Sequence, residues 1–211
     1  MQIAETNLEP QERRRLPWGL TRGDLEVLSV AICIKALLFL FGMQSYQVLQ
    51  DERVSGLHGA LEIWNRWDSI NYQKLAQFGY SANGDLKPLL VFYPLFPWAV
   101  RAVAFVARDY LFSAFIVSTV ASLITPVIFR RLVSLDYPKA LAQRAVWFLL
   151  IFPTSYFLHI GYTEGLFLML VVSCVYATRK RRWLIASILG ALACLTRANG
   201  QIGRASCRER V

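Results

Sequence analysis

Long apolar runs dominate this sequence, and about 20 mostly apolar residues are what a helix needs to cross the hydrocarbon core of a bilayer. The runs lie at 25–48, 111–129, 145–160, 165–178 and 183–199. Charged residues make up only 18% of the 211 residues, against about a quarter in an ordinary soluble domain. The expected fold class is therefore all-α, a polytopic membrane helix bundle. The first run is too long and too far from Met1 for an ordinary signal peptide, and reads as a retained anchor.

The formal charge of +9 could suggest a nucleic-acid partner. Much of it, however, stands in short clusters between the apolar runs, the pattern that marks cytoplasmic loops. No nucleic acid is expected. Arg13, Arg14, Arg15 and Arg22 place the N-terminus in the cytoplasm; Arg130, Arg131, Lys139 and Arg144, then Arg179–Arg182, place two later loops there. This alternation works only if Leu89–Ala107 does not cross. Its Pro94, Pro97 and Arg101 suit an interfacial or re-entrant piece. Asp68, the Tyr162–Glu164 turn and Arg197 then share the non-cytoplasmic side.

The last residues, 202–211 (IGRASCRERV), interrupt an apolar helix with three arginines. They resemble the translation of a sequencing-library adapter and are expected to be a non-native read-through tail on the N-terminal part of a longer protein. Of the four cysteines, Cys33, Cys174 and Cys194 lie in apolar runs and act as small hydrophobes. No pair has metal or disulfide-framework spacing.

Between the first two runs, 61–80 (LEIWNRWDSINYQKLAQFGY) has helical period, with Leu61, Trp64, Leu75 and Phe78 on one side and Trp67 and Ile70 widening it. Its tryptophans and tyrosines predict a helix lying flat at the membrane boundary. Asp68 sits within it, and a carboxylate in such a place serves either as an ordinary solvated residue or as a functional one. Glu164 reads as a first-turn helix acid capped by Thr163. Arg197 closes an apolar helix, either snorkelling to water or gripping a phosphate. Ala186, Gly190 and Cys194 recur every fourth residue, a packing signal. Pro153 predicts a kink, and His58 and His159 form no ligand pair. No Gly-rich nucleotide loop and no Asp-x-Asp pair is present, so a bound donor is expected to be a lipid. No cofactor is expected; a divalent metal stays open.

Six segments stand in order: Trp64-Asn65-Arg66-Trp67-Asp68-Ser69; Gly79-Tyr80; Phe92-Tyr93-Pro94-Leu95-Phe96-Pro97; Phe152-Pro153-Thr154-Ser155; Gly161-Tyr162-Thr163-Glu164-Gly165-Leu166-Phe167; and Leu195-Thr196-Arg197-Ala198-Asn199-Gly200. Together they resemble the PIG-V-like mannosyltransferases, the second mannosyltransferases of GPI-anchor synthesis and their prokaryotic relatives. The resemblance implies a GT-C fold and transfer of mannose from a polyprenyl- or dolichyl-phosphate donor to a glycan or glycolipid acceptor. It implies Asp68 as the catalytic residue and Arg197, with Arg66 as substitute, at the donor phosphate. Trp64, Trp67, Tyr72, Tyr162, Glu164 and Asn199 would support them, and the family's second half would follow this chain. At Gly165 the family usually has Ser or Ala, a departure expected to matter little. The membrane would be a prokaryotic plasma membrane or, in a eukaryote, the endoplasmic reticulum. The competing readings are a non-catalytic transporter or assembly subunit on the same scaffold, and a GT-C transferase using another lipid-linked sugar.

Overall fold

The structure, a computed structural model, describes residues 20–51 and 53–197. Arg13–Arg15, Asn199 and the 202–211 tail lie outside the described residues. Among the described residues every regular element is helical. The α-helices are α1 (Arg22–Gln50), α2 (Gly56–Glu62), α3 (Asp68–Phe78), α4 (Leu95–Ala107), α5 (Tyr110–Val133), α6 (Lys139–Ile151), α7 (Thr163–Arg179) and α8 (Trp183–Cys194). Two 3-10 segments, Gly84–Val91 and Pro153–Leu158, join α3 to α4 and α6 to α7.

Two helices, α1 with 29 residues and α5 with 24, are long and apolar enough to cross a membrane. They run antiparallel. At one end the Asp24 carboxylate takes Arg130 at 3.0 Å and Arg131 at 2.8 Å. Towards the other end, Leu61 of α2 packs with Leu111 and Phe115 at the start of α5. Helix α7 runs parallel to α5, since the Ser118 hydroxyl bonds the Tyr162 carbonyl at its start while Arg179 reaches Asp136 at its finish. Helix α8 turns back along α7. One end of the bundle thus carries Arg22, Arg130, Arg131 and Arg179, and Asp68, Tyr162, Glu164 and Arg197 lie towards the other.

The core surrounds α5. Phe96 and Val100 of α4, Ala114 and Ala121 of α5, Leu166 and Leu170 of α7, and Ala193 of α8 pack together with Tyr72 and Ala76 of α3. Helix α8 closes on α7 through the small-residue stripe: Cys174 Sγ lies 3.3 Å from the Ala186 carbonyl, and a side chain at Gly190 would meet that same sulfur. Helix α1 is peripheral, leaving Leu37, Leu40 and Phe41 exposed.

Several expected elements are shorter than the apolar runs, each for a local reason. The run 145–160 is not one helix. Pro153 has no N–H to donate and forces Phe152 into extended backbone (ψ 135°), so α6 stops at Ile151. The 183–199 helix ends at Cys194, because the Thr196 hydroxyl takes the Ala193 carbonyl and the Leu95 N–H takes that of Leu195. Arg197 therefore follows a helix rather than closing one. The 89–107 segment breaks at extended Phe92 before Pro94, which leaves α4 at 13 residues. Such a helix is about 20 Å long, short of a crossing.

Candidate functional site

The 61–80 segment is two helices, not one. The break lies at Ile63–Trp67, where Trp67 takes φ 48°, ψ −121°. Polar side chains support it: the Asn65 amide donates to Glu62 and its oxygen accepts Gln73 Nε2 at 2.7 Å. Two consequences follow. Asp68 becomes the first residue of α3, exposed at the helix N-terminus. The buried stripe of α3 becomes Ser69, Tyr72, Leu75 and Ala76, while Phe78 and Ile70 are exposed, so the expected single apolar face does not exist.

A second turn meets this one. Helix α7 begins at Thr163 after Tyr162 in extended backbone, without a side-chain cap. Thr163 is not the cap but the first helical residue, buried, with its hydroxyl 3.5 Å from a Glu164 carboxylate oxygen. The Tyr162 hydroxyl donates to the Arg66 carbonyl at 2.6 Å, stapling the α7 entry to the break before Asp68. Ser69 Oγ lies 3.2 Å from where a side chain at Gly161 would begin. A Cβ there would fit with a shift of a few tenths of an ångström, so the two segments are in close contact.

Arg197 completes the group. Its guanidinium reaches the Glu164 carboxylate at 2.5 Å, with side chains 37% and 29% exposed. This pair uses one guanidinium nitrogen and leaves further N–H donors for an incoming anion. Burial, then the Asp68 and Glu164 carboxylates, push the Tyr162 hydroxyl up to about 12. Burial also raises Tyr72; the neighbouring Thr163 side chain opposes this, and Asp68 and Glu164 add to it. Both tyrosines therefore stay neutral donors or acceptors near neutral pH, between two carboxylates and one guanidinium. Glu164 also heads a groove of about 500 Å³ between α6 and α7, walled by Phe148, Phe152, Phe157 and Leu168.

Other expected members lie elsewhere. Trp64 turns towards α1, its ring 5.6 Å from Phe39 and packed over Gly42, so it braces the site rather than walling it. Trp67 is 71% exposed, thrown outward by its backbone conformation. The Arg66 side chain lines a separate cleft of about 250 Å³ with Arg53 and Glu62, and only its carbonyl serves the turn. A side chain at Gly165 would stand 2.9 Å from the Leu158 carbonyl oxygen, so this glycine is not interchangeable with Ser or Ala in this backbone.

Two roles escaped the sequence reading. Ser69 and Thr163, both inside the resembling segments, carry no sign in a single sequence that they pack where the two turns meet. Lys35 does carry one, as a lone cation inside the first apolar run. Among the described residues no three His, Cys, Asp or Glu side chains stand together as a metal site. No protein-family model, curated protein or solved structure matches the chain.

Proposed function

We propose that this protein is a membrane glycosyltransferase of GT-C type, moving mannose from a polyprenyl-phosphate donor to a lipid- or glycan-linked acceptor on the non-cytoplasmic face. The observation that carries the reading is convergence. The Trp64–Ser69, Gly161–Gly165 and Leu195–Arg197 segments, which bear the family resemblance, meet at one place although about 130 residues separate the first from the last.

In this reading the Asp68 carboxylate takes the proton of the acceptor hydroxyl as its oxygen bonds the anomeric carbon. The bond from that carbon to the phosphate oxygen breaks, and the phosphate leaves with the electron pair. A phosphate is stable as an anion, so no second carboxylic acid is needed to protonate it, unlike the alcohol expelled by glycosidases. Arg197, held by Glu164, faces that developing charge. The apolar groove below Glu164 suits a prenyl chain, and the two membrane-length helices suit a donor drawn from the bilayer.

The test is transfer of labelled mannose from polyprenyl phosphomannose by membranes carrying the protein. Asp68→Asn is expected to abolish transfer while leaving donor binding intact. Normal turnover by that variant, or retention of the donor's anomeric configuration in the product, would remove the mechanism. Transfer of a different lipid-linked sugar would keep the site and change the substrate.

A further inference from the structure

Irregular backbone is a liability at membrane depth, because its carbonyls find no water and must be satisfied from within the protein. The His159–Tyr162 stretch, buried among the helices, meets the same requirement. It follows the 3-10 segment, and its last carbonyl meets Ser118, roughly 12 Å along α5 from the helix start. The Ile160 carbonyl takes the Tyr162 N–H, and those of His159 and Tyr162 take side-chain donors from other elements. Ser118 supplies Tyr162, and Lys35 reaches from the first long helix to supply His159, Nζ to oxygen at 2.7 Å.

Lys35 is costly where it stands. It lies near the middle of α1, and no salt bridge joins it to a carboxylate among the described residues. Its other close neighbour is the Phe39 ring, 5.4 Å from the ammonium. A cation so placed within an apolar helix stays through selection for a task. The task is legible in what it touches. His159 lies three residues before Tyr162, and Phe39 packs on Trp64 and Phe115. The lysine therefore bears on both halves of the site at once: the turn carrying Tyr162 and Glu164, and, through Phe39 and Trp64, the break before Asp68.

We infer that Lys35 is a positioning residue for the candidate site, an ammonium on α1 that clasps the His159 carbonyl and so fixes the Gly161–Glu164 turn against the Asp68 turn. The role rests on the transferase reading only for its effect on turnover; the clasp itself does not.

Disulfide trapping reads the clasp without activity. Ser69→Cys and Gly161→Cys, in protein freed of its other cysteines, place two thiols at the contact between the turns. Lys35→Met is expected to slow formation of that link about tenfold, the population shift that follows loss of one hydrogen bond to a charged group. Lys35→Arg should keep the link at the original rate. A control pair, native Cys174 with Gly190→Cys, reports the α7–α8 hairpin and should be indifferent to residue 35. If Lys35→Met also loses the control link, the variant has unfolded. Lys35→Gln, too short to reach the carbonyl, then carries the same expectation. Unchanged trapping with an intact control overturns the inference, whatever the activity. In the transfer assay Lys35→Met should lower kcat by up to about 100-fold, as small misplacements of a site do, with donor KM little changed and Lys35→Arg restoring most of it. Slower trapping in a protein that transfers no sugar at all would leave the clasp standing and remove the transferase.

Discussion

Glu164 Oε1 and Arg197 Nη1 lie 2.5 Å apart, joining the first turn of α7 to the segment that leaves α8. Each fixes the other's direction, and neither is fully buried. The pair ties the two segments together through one guanidinium nitrogen.

Arg197→Ala is expected to lower transfer by about 100-fold or more, the usual cost of removing a donor to developing charge. Glu164→Gln should instead raise donor KM about tenfold, since it weakens one charge-assisted contact to a guanidinium that is still present. Steady-state kinetics with a fixed acceptor separate the two. Equal kcat losses with unchanged KM would show that Glu164 does more than orient its partner.

At the opposite end of the bundle, Asp24 is fully buried and serves Arg130, Arg131 and the Thr21 N–H together. Asp24→Asn leaves a buried guanidinium without its counter-charge and should cost about 3 kcal/mol. Arg131→Met should cost less, because Arg130 remains. Thermal unfolding in detergent, compared across the two variants, measures the order.

Gly165→Ala places a methyl 2.9 Å from the Leu158 backbone oxygen, which cannot swing away as a flexible side chain would. The expected destabilisation is about 1–3 kcal/mol, the range for overpacking a close contact. Gly190→Ala, whose neighbour at 3.5 Å is a sulfur, is the matched control and should be nearly neutral. A neutral Gly165→Ala would mean that α7 and the 3-10 segment separate easily.

The Tyr162 hydroxyl is pushed from its usual value near 10 up to about 12, first by burial and then by Asp68 and Glu164. A group raised in the folded state contributes stability that is complete below pH 10 and is lost as pH climbs towards 12. Wild-type protein should therefore lose stability across that alkaline window. Tyr162→Phe should start lower, without the bond to the Arg66 carbonyl, and lose less over the same interval. Parallel falls in Tm for the two proteins would dissociate Tyr162 from the effect.

Much of this arrangement could be read from the chain, and the rest fails for identifiable reasons. The apolar runs located α1, α5, α7 and α8, since burying apolar surface requires the residues themselves. Hydropathy is blind to where a run breaks. Phe152 and Pro153 are as apolar as their neighbours, yet they end α6; Trp67 sits in a clean helical period, yet its backbone reverses there. The meeting of Tyr162 with Arg66 was invisible for another reason. It uses a backbone carbonyl, which every residue has and no composition reveals. The Lys35 contact with His159 is of the same kind.

The backbone at Trp67 is one that glycine adopts freely and that costs other residues about 1–3 kcal/mol. Its indole points into the open, so no contact it makes within the described residues explains the strain. What the strain fixes is the heading of the next residue. Asp68 leaves a fixed corner instead of continuing one helix with Glu62. Replacing Trp67 with glycine would relax that corner, trading a small gain in stability for a looser entry into α3.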